Sequence, residues 1–499
     1  MKLNWFSPLP PARTGIAQYT MGLLPTLERR AEIVLWTDQT EWDPLLEQYA
    51  AVRSYQLEHM PWAELNRSDM SIYHIGNNPA AHGAIWQVSR SHQGIVVLHD
   101  LSLQYLFAGL FWGDWHDRDG YLAHMERHHD WQGRIAAEAF WNGKLSIMYM
   151  SEHYPLTALA LEGALGVVVH TQDGLVGQRQ ENACPVAYVP LPYAPSQRSY
   201  GSCPRFGEGQ SGGPPYRLIT FGYLNVNRRL DSLLQALSTL PDGDLFRLDI
   251  YGQVWDRAYV QRQIQTLGLQ GIVKLHGFVP TEELDAALAA AHMAVNLRNP
   301  TMGESSFSQL QIWDHALPSL VSQVAWYAAL PESTVAFVRP EHEVVDIQRH
   351  LNAFLADPEH FMEMGAQGRR FLEEHHRPEI YAEALIDFVA EAQRFSPQAA
   401  AYELAIRVGA AMHGWIGLPT PRIVSSVWNR VGGLRQQQSV AQQQAATIEA
   451  IRQAVTNHAG KLHQQQTTTL RTLQQAVSAQ IERVHRPPDE TRRMPLDDG

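Results

Sequence analysis

The chain has little of what marks a secreted, membrane-spanning or nucleic-acid-binding protein. Its two cysteines, Cys184 and Cys203 in 499 residues, are too few for a disulfide framework and lack the paired spacing of a zinc site. Reduced thiols without a special role are expected. No uninterrupted apolar run approaches the length of about eighteen residues that a membrane-crossing helix needs. The opening MKLNWFSPLPP turns to prolines before a signal-peptide core can form, so the expected location is the cytoplasm. Lys and Arg number 39 against 51 Asp and Glu, a net charge of -12. That balance argues against sequence-independent nucleic-acid binding, which needs a basic surface to displace counterions.

What is present is a globular composition, 45% hydrophobic and 18% charged, on a chain long enough for two cores and an appendage. Strand-like runs at Lys2 to Phe6, Ile33 to Trp36, Met70 to Ile75, Gly94 to Leu98 and Leu165 to His170 alternate with helical or loop-like sequence. The first is followed by a Pro-rich turn and an amphipathic segment, Gly15 to Arg30. Such alternation predicts a parallel sheet covered by helices, over residues 1–195. A stretch crowded with Trp, His and Tyr at about 101–161 interrupts the rhythm and reads as a helical insertion. Residues 196–215, SQRSYGSCPRFGEGQSGGPP, have no apolar period and read as a linker.

A second series starts at Tyr216, with strands at Arg217 to Phe221, Phe246 to Tyr251, Ile272 to Leu275, Met293 to Leu297, Ser319 to Val321 and Val335 to Val338. Helices are expected at Arg228 to Leu240, Asp256 to Leu267, Thr281 to Ala290 and Gln309 to Ala316, and at Ile380 to Gln393 to close the domain. This makes a second Rossmann-class domain over 216–395. Residues 396–435 read as a helical extension, with a helical piece at Ala399 to His413. From 436 to 499 the composition turns to Gln, Ala and Thr. An apolar stripe runs through Ile448, Ile451, Val455, Leu462, Leu470, Leu473, Val477, Ile481 and Val484. A helix this polar cannot bury its stripe alone, so a coiled-coil-like oligomerisation tail over 440–485, ending in a disordered terminus, is expected. A wholly disordered Gln-rich linker is the plainer alternative.

Four motifs carry chemistry. Pro10-Pro11-Ala12-Arg13-Thr14-Gly15-Ile16 places a glycine where a helix opens, so that a phosphate can approach free N–H groups; a simple turn glycine is the bland reading. Val96-Val97-Leu98-His99-Asp100 ends an apolar strand, and ligands of open α/β sheets sit at such ends; a strand-capping His is the alternative. Gly76-Asn77-Asn78-Pro79, with His82 beyond, offers amides and an imidazole to sugar hydroxyls, and is equally a good turn. In the second domain, Gly222 is followed by Arg228 and Arg229 at an expected helix start. Two cations there oppose the helix dipole and ask for an anion, unless both are solvated surface groups. Last, Asn296-Leu297-Arg298-Asn299-Pro300-Thr301-Met302-Gly303-Glu304-Ser305-Ser306 runs from a strand into a helix whose N-terminus suits phosphate oxygens. A plain Ser cap explains the serines, less so Glu304 beside Arg298.

In order and spacing these motifs resemble the retaining glycosyltransferases of the family 4 type, in the bacterial branch that begins SPLPP-x-x-x-GIA-x-Y and carries GNN-P-x-x-H, VVLHD and LR-x-PT-x-GE-S-S. The resemblance covers about residues 1–395. It implies two facing Rossmann-like domains, the GT-B fold. The nucleotide diphosphate sugar would bind mainly the second domain, and a glycan or lipid-linked glycan acceptor mainly the first. It implies transfer with retention, with peripheral contact at the inner membrane face where the acceptor is lipid-linked. By this resemblance Gly15, Gly222 and Arg228 approach the diphosphate, and His99 contacts the donor sugar near the reacting carbon. Glu304 lies near the transferred sugar, with Arg298 and Gly303 in its loop. The Ser305 and Ser306 amides hold phosphate, and Gly277, Phe278 and Val279 edge the base pocket. The donor is a substrate; no other cofactor is implied, and no convincing Asp-x-Asp metal motif occurs in the candidate sites.

The chain departs from the family at the second glutamate, eight residues after the first. Ile312 stands there with Gln311 beside it, and glutamine can hydrogen-bond a hydroxyl but without negative charge. Ala316 replaces a common glycine. The missing glutamate and the long tail motivate a rival reading, a non-catalytic scaffold of the same fold; a phosphorylase or epimerase on that fold is a third. His124, Glu126, His128 and His129 suggest a metal, but HMERH is not HExxH, and a surface or acceptor-groove role is expected instead.

Overall fold

Short apolar runs bounded by Gly, Pro and Asn become, among the described residues, thirteen strands in two parallel sheets. The computed structural model describes residues 1–182, 184–196 and 214–396. The first sheet holds β1 (Lys2–Phe6), β2 (Glu32–Thr37), β3 (Ala51–Ser54), β4 (Met70–Ile75), β5 (Ile95–Leu98), β6 (Gly166–Val169) and β7 (Val186–Tyr188), in the order β3-β2-β1-β4-β5-β6-β7. The second holds β8 (Tyr216–Phe221), β9 (Phe246–Tyr251), β10 (Val273–Gly277), β11 (Met293–Asn296), β12 (Ser319–Ser322) and β13 (Ala336–Val338), in the order β10-β9-β8-β11-β12-β13. Each order reverses between its first and fourth strands, β1/β4 and β8/β11. At such a switch point the flanking connections leave in opposite directions and open a crevice at the carboxyl ends. β4, β5 and β6 are buried throughout, as a sheet covered on both faces requires.

Met1–Phe395 forms one compact unit. The two strands that the sequence reading passes over, β3 and β7, are edge strands of four and three residues, too short to show a period. The reading also assigns no element between Val338 and Ile380, where the chain forms two helices, Glu343–Ala356 and Pro358–His375.

Two local expectations are corrected. The helix expected from Arg228 instead starts at Leu230, after a 3-10 turn Val226–Arg228 and a left-handed Arg229 with φ 54°. The last helix, at 378–396, covers the first half rather than closing the second. Its Tyr381 ring stands edge-on to Tyr19 at 5.6 Å. A β-carbon on Gly166 of β6 would lie 2.9 Å from the Phe388 ring, so the bare glycine makes room for that ring.

The stretch 101–161 is helical, with Gln104–Ala108, a π-helical turn Gly109–Asp114, Arg118–Trp141, Ile147–His153 and Thr157–Ala160. The long helix breaks at His129 and Asp130, where Asp130 has φ 57°. The linker core 197–213, the extension after 396 and the tail with its expected oligomerisation segment lie outside the described residues.

Candidate functional site

The candidate residues gather at the carboxyl ends of β1, β4 and β5 from one sheet and β8, β10 and β11 from the other. The halves meet there through named contacts. The Leu101 and Ser102 amides both donate to the Met302 carbonyl, at 2.8 and 3.0 Å. The Arg13 guanidinium lies 4.0 Å from the centre of the Phe278 ring. A β-carbon on Gly15 would stand 3.5 Å from that of Phe307. The start of the helix Gly15–Leu27, capped by Thr14, therefore faces the start of the helix Phe307–Asp314, capped by Ser306. Two positive helix ends converge on one place, which favours an anion between them.

The adjacent arginines have opposite fates. Arg229 donates from Nε to both oxygens of Glu343, at 2.7 and 2.8 Å; its anion is part of the protein. Arg228 is 6% exposed and donates from one nitrogen to the Phe221 carbonyl at 3.0 Å, while its Nε and second terminal nitrogen have no partner among the described residues. Burial and the nearby Arg298 push its pKa down to about 10. A buried cation with two idle donors is costly and suits an anion that arrives from outside.

Arg298 pairs with Glu304, yet its Nε, like the buried Ser305 hydroxyl, has no partner among the described residues. Burial opposes the Arg298 charge, but Glu304 more than restores it and raises its pKa. The Ser305 and Ser306 amides have no hydrogen-bond acceptor among the described residues. Glu304 is fully engaged within its own loop. One oxygen accepts from Arg298, the other from the Thr301 hydroxyl at 2.8 Å and the Met302 amide at 2.7 Å. Burial raises its pKa, and Arg298 with these hydrogen bonds overcomes that and lowers it. In this conformation the carboxylate shapes the loop.

Across the crevice, Asp100 is the less occupied acid. One of its oxygens accepts from the Asn77 amide at 2.9 Å. Burial first, and then the charge of Glu304, push its pKa up to about 7. In the sequence Asp100 only closes the motif beside His99; the approach of Glu304 across the crevice singles it out. His99 sits in a nest of neutral histidines. Its Nε2 lies 2.9 Å from His74 Nδ1, and its ring centre lies 5.1 Å from that of His170. Burial, then repulsion from His170 and His74, holds the pKa of His99 well below the usual histidine range.

Three sequence candidates turn out to be used by the fold. Asn77 donates its side-chain amide to the Ser102 carbonyl, tying β4 to the loop after β5. Asn78 caps the helix Pro79–Ser91 by accepting from the Ala80 amide at 3.1 Å. His82 is buried, with Nδ1 2.9 Å from the His74 carbonyl, which fixes it in the wall of the crevice. The turn glycines Gly222, Gly252 and Gly277 have φ of 106, 107 and 78°. A β-carbon on Gly252 would stand 2.0 Å from the Gly222 carbonyl oxygen, so the ends of β8 and β9 can lie side by side only without side chains. Phe278 is 57% exposed and Val279 packs on the Ile219, Phe221 and Ile312 cluster. Ile312 is thus core, and Gln311 is the partly exposed neighbour. Ala316 has φ 48°, a left-handed backbone that favours glycine. Near the insertion, Glu162 pairs with Arg90 and Arg127, and His128 Nε2 lies 3.2 Å from the same carboxylate. No group of three or more His, Cys, Asp or Glu positioned to hold a metal ion occurs among the described residues.

Comparisons with known proteins bear on the fold. Residues 228–387 match a family model described as glycosyl transferase-like. HepE from Anabaena, solved in complex with UDP and glucose, is similar with a TM-score of 0.53 at 13% identity, covering 78% of this chain and 99% of that one. Sucrose-phosphate synthase from Thermosynechococcus elongatus gives 0.53 at 16% identity, covering 78% and 98%. WaaG, a glycosyltransferase involved in lipopolysaccharide biosynthesis, gives 0.50 at 12%, covering 77% and 99%. No curated protein sequence matches the chain. The fold is that of the GT-B glycosyltransferases: two parallel α/β halves with a crevice between their strand ends.

Proposed function

We propose that the protein is a retaining glycosyltransferase that moves a sugar from a nucleotide diphosphate onto a glycan or lipid-linked glycan. The observation that carries this is Arg228, a buried guanidinium beside Arg298 with two nitrogens that have no hydrogen-bond partner among the described residues. A pyrophosphate would meet these donors. A scaffold of the same fold would have no use for an unpaired buried charge.

In the reaction the bond from the anomeric carbon to the diphosphate oxygen breaks, a bond to the acceptor oxygen forms on the same face, and the acceptor proton passes to the departing phosphate. Arg228, the Ser305 and Ser306 amides and the facing helix ends stabilise the growing negative charge. The oxocarbenium-like carbon would lie between His99 and the Glu304 loop. Glu304 holds that loop and balances Arg298. Phe278 and Val279, with Arg13 over the Phe278 ring, edge the base pocket. HepE binds UDP, which makes uridine nucleotides the first to test. The reading calls for no cofactor beyond the donor. It places the enzyme in the cytoplasm, at the inner membrane face for a lipid-linked acceptor, and assembles it through residues 440–485. No helix among the described residues is long and apolar enough to cross a membrane.

The test is a thermal-shift panel of UDP-, GDP- and ADP-sugars, followed by NMR of the product anomer. A shift with one nucleotide family and a product of unchanged configuration support the reading. No shift with any nucleotide would overturn the donor assignment, and an inverted product the retention. Light scattering of a chain ending near residue 435 tests the tail, which fails as an assembly segment if the oligomer survives its removal.

A further inference from the structure

His99 does not stand alone at the end of β5. Its Nε2 is 2.9 Å from Nδ1 of His74, a wholly buried residue of β4 whose ring lies 4.3 Å from that of Trp5. The remaining nitrogen of His74, Nε2, is buried without a partner among the described residues. Nδ1 of His99 has no hydrogen-bond partner among the described residues and is not sealed from solvent.

Both rings are neutral, because burial and the neighbouring histidines disfavour the charged form. One proton must therefore lie between them, and it has two places. If His99 Nε2–H donated to His74, the proton of His74 would sit on Nε2 as a buried donor with no acceptor. If His74 Nδ1–H donates to His99, only a bare lone pair is left at His74 Nε2. A buried unpaired N–H is rarer in folded proteins than an underused acceptor. The second arrangement wins, and in it the free nitrogen of His99 carries the proton.

We propose that His74 is a positioning residue that fixes His99 as the Nδ1–H tautomer, so that His99 meets the bound sugar as a hydrogen-bond donor to oxygen and not as a base. The sugar ligand rests on the function proposed above; the tautomer does not. His74 hands the choice to the strand pairing, since β4 and β5 lie side by side with Ile75 opposite Leu98, and their successive ends bring the two rings together. A donor at this position suits a hydroxyl oxygen of the bound sugar and leaves the ring oxygen free to give electron density to the anomeric carbon as that carbon becomes positive.

The test uses the full-length protein labelled with 15N-histidine, read by long-range proton–nitrogen correlation at pH 7.5, with His99→Gln to assign the resonance. The expected pattern is a protonated Nδ1 and a bare Nε2 on His99; the reverse overturns the proposal whether or not the protein transfers sugar. The second arm compares His74→Asn, whose amide can still donate, with His74→Leu, which cannot. His74→Leu should lower kcat about tenfold, the scale of one lost hydrogen bond, with little change in the donor KM, and His74→Asn should recover most of it. Equal activity in both variants overturns the positioning role. If His74→Leu does not fold, the tautomer measured in the unaltered protein still decides.

Discussion

Gly303 and Leu101 approach so closely across the two halves that a β-carbon on Gly303 would stand 2.6 Å from that of Leu101. Gly303 also has φ 78°, so two independent constraints demand glycine. The contact brings the loop after β11 under the amides of Leu101 and Ser102, which donate to Met302. Gly303→Ala should destabilise the protein by about 2 kcal/mol through backbone strain and lower transfer more than its thermal shift implies. Calorimetry beside kcat/KM checks this; wild-type values in both would show that the halves do not close here.

Arg228→Met should separate stability from function. Replacing a buried cation that has idle donors by an apolar chain of similar length is neutral or stabilising, so the melting temperature without ligand should hold or rise. Nucleotide-sugar turnover should fall by about a hundredfold or more. A clear loss of stability with turnover intact would remove Arg228 from the site.

Arg229→Ala should do the reverse. Glu343 has a side chain only 4% exposed and would keep Ser232 but lose its cation. With Arg229 itself a third exposed, solvent softens the loss, and about 1–3 kcal/mol of stability is expected. Donor affinity in the folded fraction should stay as it was. Urea titration and nucleotide binding separate the two effects.

The buried histidines make the protein sensitive to acid. Burial holds His82, His170 and His376 at about 4, below the ordinary value of about 6.5. The unfolded chain binds more protons in between, so their contribution is present above about pH 6.5 and is lost as pH falls through about 4. Asp100 works the other way. Pushed up to about 7, it stabilises at low pH and loses that contribution as pH rises through about 7. Three groups outweigh one, and a net loss of about 3 kcal/mol is expected from pH 7 to pH 5. Denaturation at pH 5, 6 and 7 measures it, and Asp100→Asn should steepen the fall.

Much of the fold is legible in the sequence because buried parallel strands are short apolar runs cut off by Gly, Pro and Asn. β1, β4 and β9 and the helix Thr281–Ala290 have the bounds that their patterns predict. The edge strands β3 and β7 of the first sheet are not legible, since four or three residues carry no period, whereas the edge strands β10 and β13 of the second sheet overlap apolar runs that the sequence shows. The helix at 378–396 is legible as a helix, but no local signal says which sheet it covers; that depends on Gly166 leaving room for Phe388.

At the site, the sequence by itself determined which chemical groups are available: His99 and Asp100 at one strand end, Arg228, Arg298, Glu304 and two serines at the others. Residue type and position after a strand decide that much. Only the tertiary structure decided how they are used. Arg229 is satisfied by Glu343, which lies 114 positions away, while its neighbour is left with idle donors. Glu304 is taken up by its own loop, His82 by the wall, and His99 by His74. Hydrogen-bond partners are chosen by distance in space, and in parallel sheets the nearest strand end often lies far along the chain.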